Sequence, residues 1–112
     1  MKKIIVLLAL LLSLTACGKQ EVNDNKDLLS VIKERGTLIV ATEGDWSPYT
    51  YHDEETNELV GFDVELGKMI ADKLGVKVEY KETDWDSILA GVQSGSFDLG
   101  INGITYSEER AQ

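Results

Sequence analysis

The stretch from Gly61 to Gly75 carries the strongest constraint on what this chain can fold into. Phe62, Leu66, Ile70 and Leu74 recur four residues apart with Met69 beside them, Asp63 and Glu65 fall in the first turn, and glycines stand at both ends. Apolar side chains at that spacing share one helix face, early acids suit the positive helix end, and a glycine ends the element. On either side the period changes. Leu38-Ile39-Val40-Ala41 is a continuous apolar run, the pattern of a strand covered on both faces in a parallel sheet. Val76, Val78 and Tyr80 alternate with Lys77, Glu79 and Lys81, which predicts a half-exposed strand at a sheet edge. Asp84 can cap a second helix carrying Trp85, Ile88, Leu89 and Val92, and residues 97–101 read as a third strand. A short helix precedes the first strand, with Leu28, Leu29 and Ile32 at helical spacing, Lys33 and Arg35 near its end and Gly36 as its stop. Strands alternating with helices call for an α/β layer with right-handed crossovers and a mainly parallel sheet.

The N-terminus has a different character. Lys2 and Lys3 are followed by an apolar run from Ile4 to Leu12 and by small and polar residues up to Ala16, the pattern of a secretory signal over residues 1–16. That run is shorter than the roughly 20 residues of a permanent membrane-spanning helix. Cys17 is the single cysteine, so it cannot close an intramolecular disulfide. Its surroundings, Leu14-Thr15-Ala16-Cys17-Gly18, resemble a bacterial lipobox, in which a diacylglycerol is carried on the cysteine thiol. Lipid on Cys17 would hold the protein on the outer side of the cytoplasmic membrane, periplasmic or cell-surface, with residues 17–26 as a polar tether. The bland alternative is an ordinary signal with an incidental cysteine. Residues 27–112 then form the folded part.

Charge narrows the function. The formal net charge is -9, and without residues 1–16 the chain keeps 9 basic against 20 acidic side chains, a formal -11. Such a balance excludes a sequence-independent nucleic-acid binder, which needs clustered cations. In open α/β sheets ligands bind beyond the carboxyl ends of the strands. The segments there are Glu43-Gly44-Asp45-Trp46-Ser47-Pro48-Tyr49, Thr83-Asp84-Trp85, and Asn102-Gly103-Ile104-Thr105 with Arg110 beyond. Both tryptophans, the only proline and the last cation fall on this one rim.

Arg110 is out of place by helix electrostatics. Ser107-Glu108-Glu109 reads as a helix start, where a fixed cation is unexpected. A guanidinium beside free helix N–H groups suits an anion such as a carboxylate; pairing with Glu108, Glu109 or another surface acid is the competing reading. Trp46 and Trp85 could be core residues, or could wall a slot for a ligand side chain. Glu43 and Asp45 could meet a cationic group or simply be solvated. Catalysis has little support: His52 stands among Asp53, Glu54 and Glu55 with no triad or metal-ligand spacing, and Gly100 and Gly103 form no phosphate loop. No cofactor and no metal are expected.

Gly61-Phe62-Asp63-Val64-Glu65-Leu66, followed by Ile70, Ala71 and Leu74, resembles the signature of the extracellular solute-binding proteins of family 3, the amino-acid-binding components of ABC importers. The segments "LIVATEGDWSPY", "WDSILAGVQSGSFDLGINGIT" and "SEER" match the same family in the same order. The resemblance implies an α/β fold of the type II periplasmic-binding-protein kind, in which two lobes close on a ligand, with only part of lobe 1 in this chain. It implies that Arg110 holds a ligand α-carboxylate with help from the Thr105 hydroxyl and the backbone at Gly103. It further implies that Trp46 and Trp85 flank the ligand side chain and that Glu43 touches its polar end. The expected protein is a non-enzymatic, monomeric receptor for a polar or cationic amino acid that delivers its ligand to membrane permease subunits. Cyclohexadienyl-dehydratase-like enzymes of the same fold, and sensor domains of signalling proteins, are the alternatives.

Overall fold

The computed structural model describes residues 26–112. The expected signal of residues 1–16, Cys17 and all of the tether but Lys26 lie outside the described residues. Lys26 itself is exposed and paired with Glu34 at 2.7 Å.

Helix α1 (Leu28–Arg35) begins on Asp27, whose carboxylate accepts from the Ser30 N–H at 3.0 Å, and ends on Gly36 in the left-handed region at φ 74. Of its three spaced apolar residues only Ile32 is buried; Leu28 and Leu29 are exposed. Arg35 does more than complement the helix dipole. It donates to the Thr37 carbonyl and forms an ion pair with Asp98, a carboxylate that also accepts from the Ile39 N–H at 2.7 Å.

Strand β1 (Thr37–Thr42) is central, as its apolar run predicts. Further along the chain come β2 (Asp45–Trp46), β3 (Thr50–His52), β4 (Leu59–Val60), helix α2 (Phe62–Leu74), β5 (Lys77–Glu82), helix α3 (Trp85–Gln93) and β6 (Leu99–Gly100). The main sheet has the order β5-β1-β6, and both pairings are parallel. Strand β5 lies at the edge and pairs with β1 over its whole length, from Thr37 opposite Lys77 to Thr42 opposite Glu82. The third strand is shorter than residues 97–101: only Val40–Leu99 and Ala41–Gly100 pair.

Leu38 and Val40 project to one face of β1, into a core with Ile32 of α1 and Ala71 of α2, flanked by Ile70, Leu74, Val78 and Leu99. On α3, Ile88 is fully buried, and a side chain at Gly100 would meet its methyl at 2.6 Å. The sheet is therefore covered by helices on both sides, which explains why β1 is apolar at every position from 38 to 41.

Helix α2 has the predicted bounds, but only Ile70 and Leu74 of its predicted stripe pack on the core, and the inward face is shifted from the one its apolar spacing marks. Its buried residues are Asp63, Val64, Gly67 and Ala71, whereas Phe62 is 71% exposed and Met69 61%. Small residues on the inner line let the helix approach the sheet closely. The Tyr80 hydroxyl of β5 reaches the Val64 carbonyl across Gly67, where any added methyl would strike the phenol oxygen.

Residues 45–60, to which the sequence pattern assigns no strand, hold a second sheet. The strands β2, β3 and β4 are antiparallel, with Trp46 opposite Thr50 and His52 opposite Leu59. The Ser47–Pro48 peptide is cis. The Pro48 and Tyr49 carbonyls accept from the Phe62 and Asp63 N–H groups at 3.0 and 2.8 Å, so this sheet is fastened to the start of α2. The expected helix at Ser107 is a single turn. The Ser107 hydroxyl and carbonyl accept from the Arg110 and Ala111 N–H groups.

Candidate functional site

The carboxyl ends of β1 and β6 bring Glu43 and Asn102 side by side. Asn102 is 3% exposed, and its Oδ1 accepts from the Thr42 hydroxyl at 2.9 Å and from the Glu43 N–H at 2.8 Å. Its Nδ2 donates to Glu43 Oε2 at 2.6 Å. Glu43, half-buried, thus starts the loop after the central strand with one carboxylate oxygen already engaged.

Trp46, on β2, lies against Gly103: a side chain on that glycine would meet the indole Nε1 at 3.2 Å. Gly103 adopts φ 62, and its N–H donates to Asp63 Oδ2 at 2.5 Å. This N–H is therefore committed to a buried carboxylate at the start of α2. Trp85 is the first residue of α3, placed there by Asp84, whose carboxylate accepts from the Ser87 hydroxyl at 2.7 Å and the Ser87 N–H at 3.0 Å. Those two bonds, hydroxyl first, hold the Asp84 carboxyl below its ordinary 3.8.

Glu43, Trp46, Trp85, Asn102 and Gly103 line one cavity of about 330 Å³. Two indole walls, an acid at one side and a backbone floor make a mostly apolar slot with few polar anchors. Trp85 also borders a neighbouring open hollow of about 690 Å³, which Ile104, Glu109 and Arg110 share. The Arg110 guanidinium stands 5.1 Å from the centroid of the Trp85 ring, within cation–π range. It donates to the Thr105 carbonyl at 2.8 Å and to the Thr105 hydroxyl at 3.3 Å. Among the described residues it forms no ion pair with Glu108, Glu109 or any other acid.

The residues picked from the sequence fall into two groups. Glu43, Trp46, Trp85 and Gly103 converge on the cavity, while Arg110 and Thr105 are bonded to each other on the adjoining rim and joined to the cavity through Trp85. Cys17 lies outside the described residues. Asp45 is exposed on β2, and neither tryptophan is fully buried: Trp46 is 54% exposed and Trp85 half-buried. Sequence reasoning missed Asn102. An asparagine directly after an apolar strand, on the rim where ligands bind, was the available signal.

Parallel strands under helices, with a slot beyond their carboxyl ends, form the arrangement in which open α/β sheets bind small molecules. The chain belongs to the bacterial extracellular solute-binding proteins, family 3, whose model matches residues 38–112. It is 43% identical over 113 residues to the L-cystine-binding protein TcyA of Bacillus subtilis, covering 93% of this chain and 42% of that one. The chain therefore spans about two fifths of that relative's length. A more distant relative is the cyclohexadienyl dehydratase of Pseudomonas aeruginosa, 33% identical over 88% of this chain and 36% of its own length. Among solved structures, an ancestral cationic amino acid solute-binding protein superposes with a TM-score of 0.72 at 41% identity, over 76% of this chain and 37% of the other. The arginine-bound form of domain 1 from TmArgBP superposes with a TM-score of 0.69 at 37% identity, over 72% of this chain and 64% of that domain. The fold is that of the type II periplasmic binding proteins, of which this chain presents part of an α/β domain with its parallel sheet flanked by helices.

Proposed function

We propose that this chain supplies part of the first lobe, residues 27–112, of a non-enzymatic receptor that captures a free amino acid outside the cytoplasm and hands it to an ABC permease. The observation that carries the reading is the convergence of Glu43, Trp46, Trp85 and Gly103 on one cavity, with the Arg110 guanidinium set over the Trp85 ring. Arg110 receives the ligand α-carboxylate beside the Thr105 hydroxyl, the indoles flank the side chain, and Glu43 faces its far end.

A carboxylate beyond two aromatic walls selects an amino acid whose far end carries a cation. Arginine meets that description, and cystine meets it in part, since its second half carries an ammonium group beside a carboxylate. The names of the relatives, L-cystine-binding and cationic amino acid-binding, support this class. The arginine-bound isolated domain of TmArgBP supports a first lobe that holds ligand by itself.

The relationship to a dehydratase keeps an elimination enzyme as the second reading. Such an enzyme needs a group to move a proton. Among the described residues Glu43 is the one titratable side chain lining the smaller cavity, and Asn102 already occupies one of its oxygens. That arrangement favours binding over chemistry.

The receptor is anchored as a monomer through lipid on Cys17 after removal of residues 1–16. Incorporation of a labelled palmitate in the wild type, lost in Cys17→Ser, tests the anchor.

Thermal shifts with the common amino acids and cystine, on the full-length protein carrying Cys17→Ser, test the receptor. Stabilisation by arginine, lysine or cystine, removed by Arg110→Ala, is expected. A flat panel from a folded protein overturns the reading.

A further inference from the structure

We propose that Asn102 is a positioning residue that sets ligand choice, by fixing the Glu43 carboxylate as the acceptor for the ligand's distal cation; this rests on the receptor reading above. The orientation of the Asn102 amide is not arbitrary. The Glu43 backbone N–H can only donate, and it meets Oδ1 at 2.8 Å; the Thr42 hydroxyl meets the same oxygen at 2.9 Å. With Oδ1 so fixed, Nδ2 must face Glu43 Oε2, at 2.6 Å. A buried amide N–H without an acceptor is costly, so the contact demands an oxygen at that point and holds the carboxylate there.

The consequence falls on the other oxygen. Glu43 Oε1 has no hydrogen-bond partner among the described residues, and Glu43 lines the cavity between the two indoles. A free glutamate side chain would have to be ordered when ligand arrives, at a cost in rotamer entropy. Here Asn102, just beyond β6, has ordered it beforehand, and Asn102 is itself held by the Thr42 hydroxyl and the Glu43 N–H at the end of the central strand. Discrimination between a cationic and a neutral ligand of the same shape therefore depends on Asn102 although it need not touch the ligand.

Isothermal titration on the full-length protein tests this with paired probes: arginine against citrulline, its neutral isostere, and cystine against mono-N-acetylcystine. In the wild type the member of a pair that carries the distal cationic group binds more tightly. Asn102→Ala is expected to weaken that member about tenfold while the counterpart lacking that group changes less than about threefold. Asn102→Ser keeps an oxygen for the Glu43 N–H and lacks the amide donor; it should give the same selective loss if the alanine variant folds poorly. In a Glu43→Gln background, changing Asn102 should leave the ratio within each pair unmoved. Equal loss of both members shows a merely structural role and overturns the proposal while leaving the receptor reading intact. A further change of ratio in the Glu43→Gln background also overturns it. A folded wild type that binds none of the four probes overturns both.

Discussion

His52 Nε2 stands 2.5 Å from Glu82 Oε1, while Nδ1 of the same ring stands 2.8 Å from the Asn57 carbonyl. Both neighbours are acceptors, so both ring nitrogens must donate, which only the imidazolium can do. The Asn57 carbonyl first and the Glu82 carboxylate second raise the His52 pKa above its ordinary 6.5. Because the folded-state value is raised, the stabilisation is fully present below about pH 6.5 and is lost as pH rises through the folded value. His52→Gln should therefore lower the melting temperature more at pH 5.5 than at pH 8. An equal effect at both pH values in thermal melts would refute the charged pairing.

Arg110 bonds to Thr105 and stacks on Trp85 instead of pairing with an acid. Its guanidinium is thus free to take a carboxylate from outside. On the receptor reading, Arg110→Ala in the full-length protein should cost about 3 kcal/mol of binding, roughly a hundredfold in affinity by titration calorimetry. Arg110→Lys should recover only part of this loss, because an ammonium cannot match a carboxylate two bonds at a time. Unchanged affinity in the alanine variant would remove Arg110 from the site.

Gly61 joins β4 to α2 at φ 129, and a methyl there would collide with the Tyr49 carbonyl. Both the backbone angle and the contact exclude a side chain. Gly61→Ala should destabilise the protein by about 2 kcal/mol or more in urea unfolding. It should also loosen Trp46, because the loop from Trp46 to Tyr49 hangs on the same carbonyls. A change in tryptophan fluorescence at low urea would report that loosening.

Asp98 is 6% exposed and accepts from both Arg35 and the Ile39 N–H. Its loss strands a backbone donor of the central strand and leaves Arg35 only its bonds to the Thr37 carbonyl. Asp98→Ala should cost about 3 kcal/mol in denaturant unfolding. Asp98→Asn, which keeps one acceptor, should cost less; the opposite order would contradict this account.

Much of this architecture is legible in the residue pattern because its signals are local. Gly61 and Gly75 bound α2, Asp84 caps α3, and the alternation of Val78 and Tyr80 with charged neighbours marks β5 as an edge strand. The inward face of α2 is not, because bulk and burial part company there: Gly67 and Ala71 face the sheet while Phe62 faces out. Strands β2 to β4 are two or three residues long and depend on carbonyls tied to the start of α2, a dependence no short window contains. The cavity was visible through its tryptophans and Glu43. Asn102 was not, since its role arises from partners 59 and 60 residues away along the chain.

The bond from the Gly103 N–H to Asp63 welds the floor of the cavity to the first turn of α2. The floor therefore cannot shift unless that helix shifts with it, and α2 is packed against the sheet by its smallest residues. The disorder that a ligand would otherwise have to remove has already been removed in folding. On the receptor reading, a ligand would meet this floor as a surface already ordered by the fold.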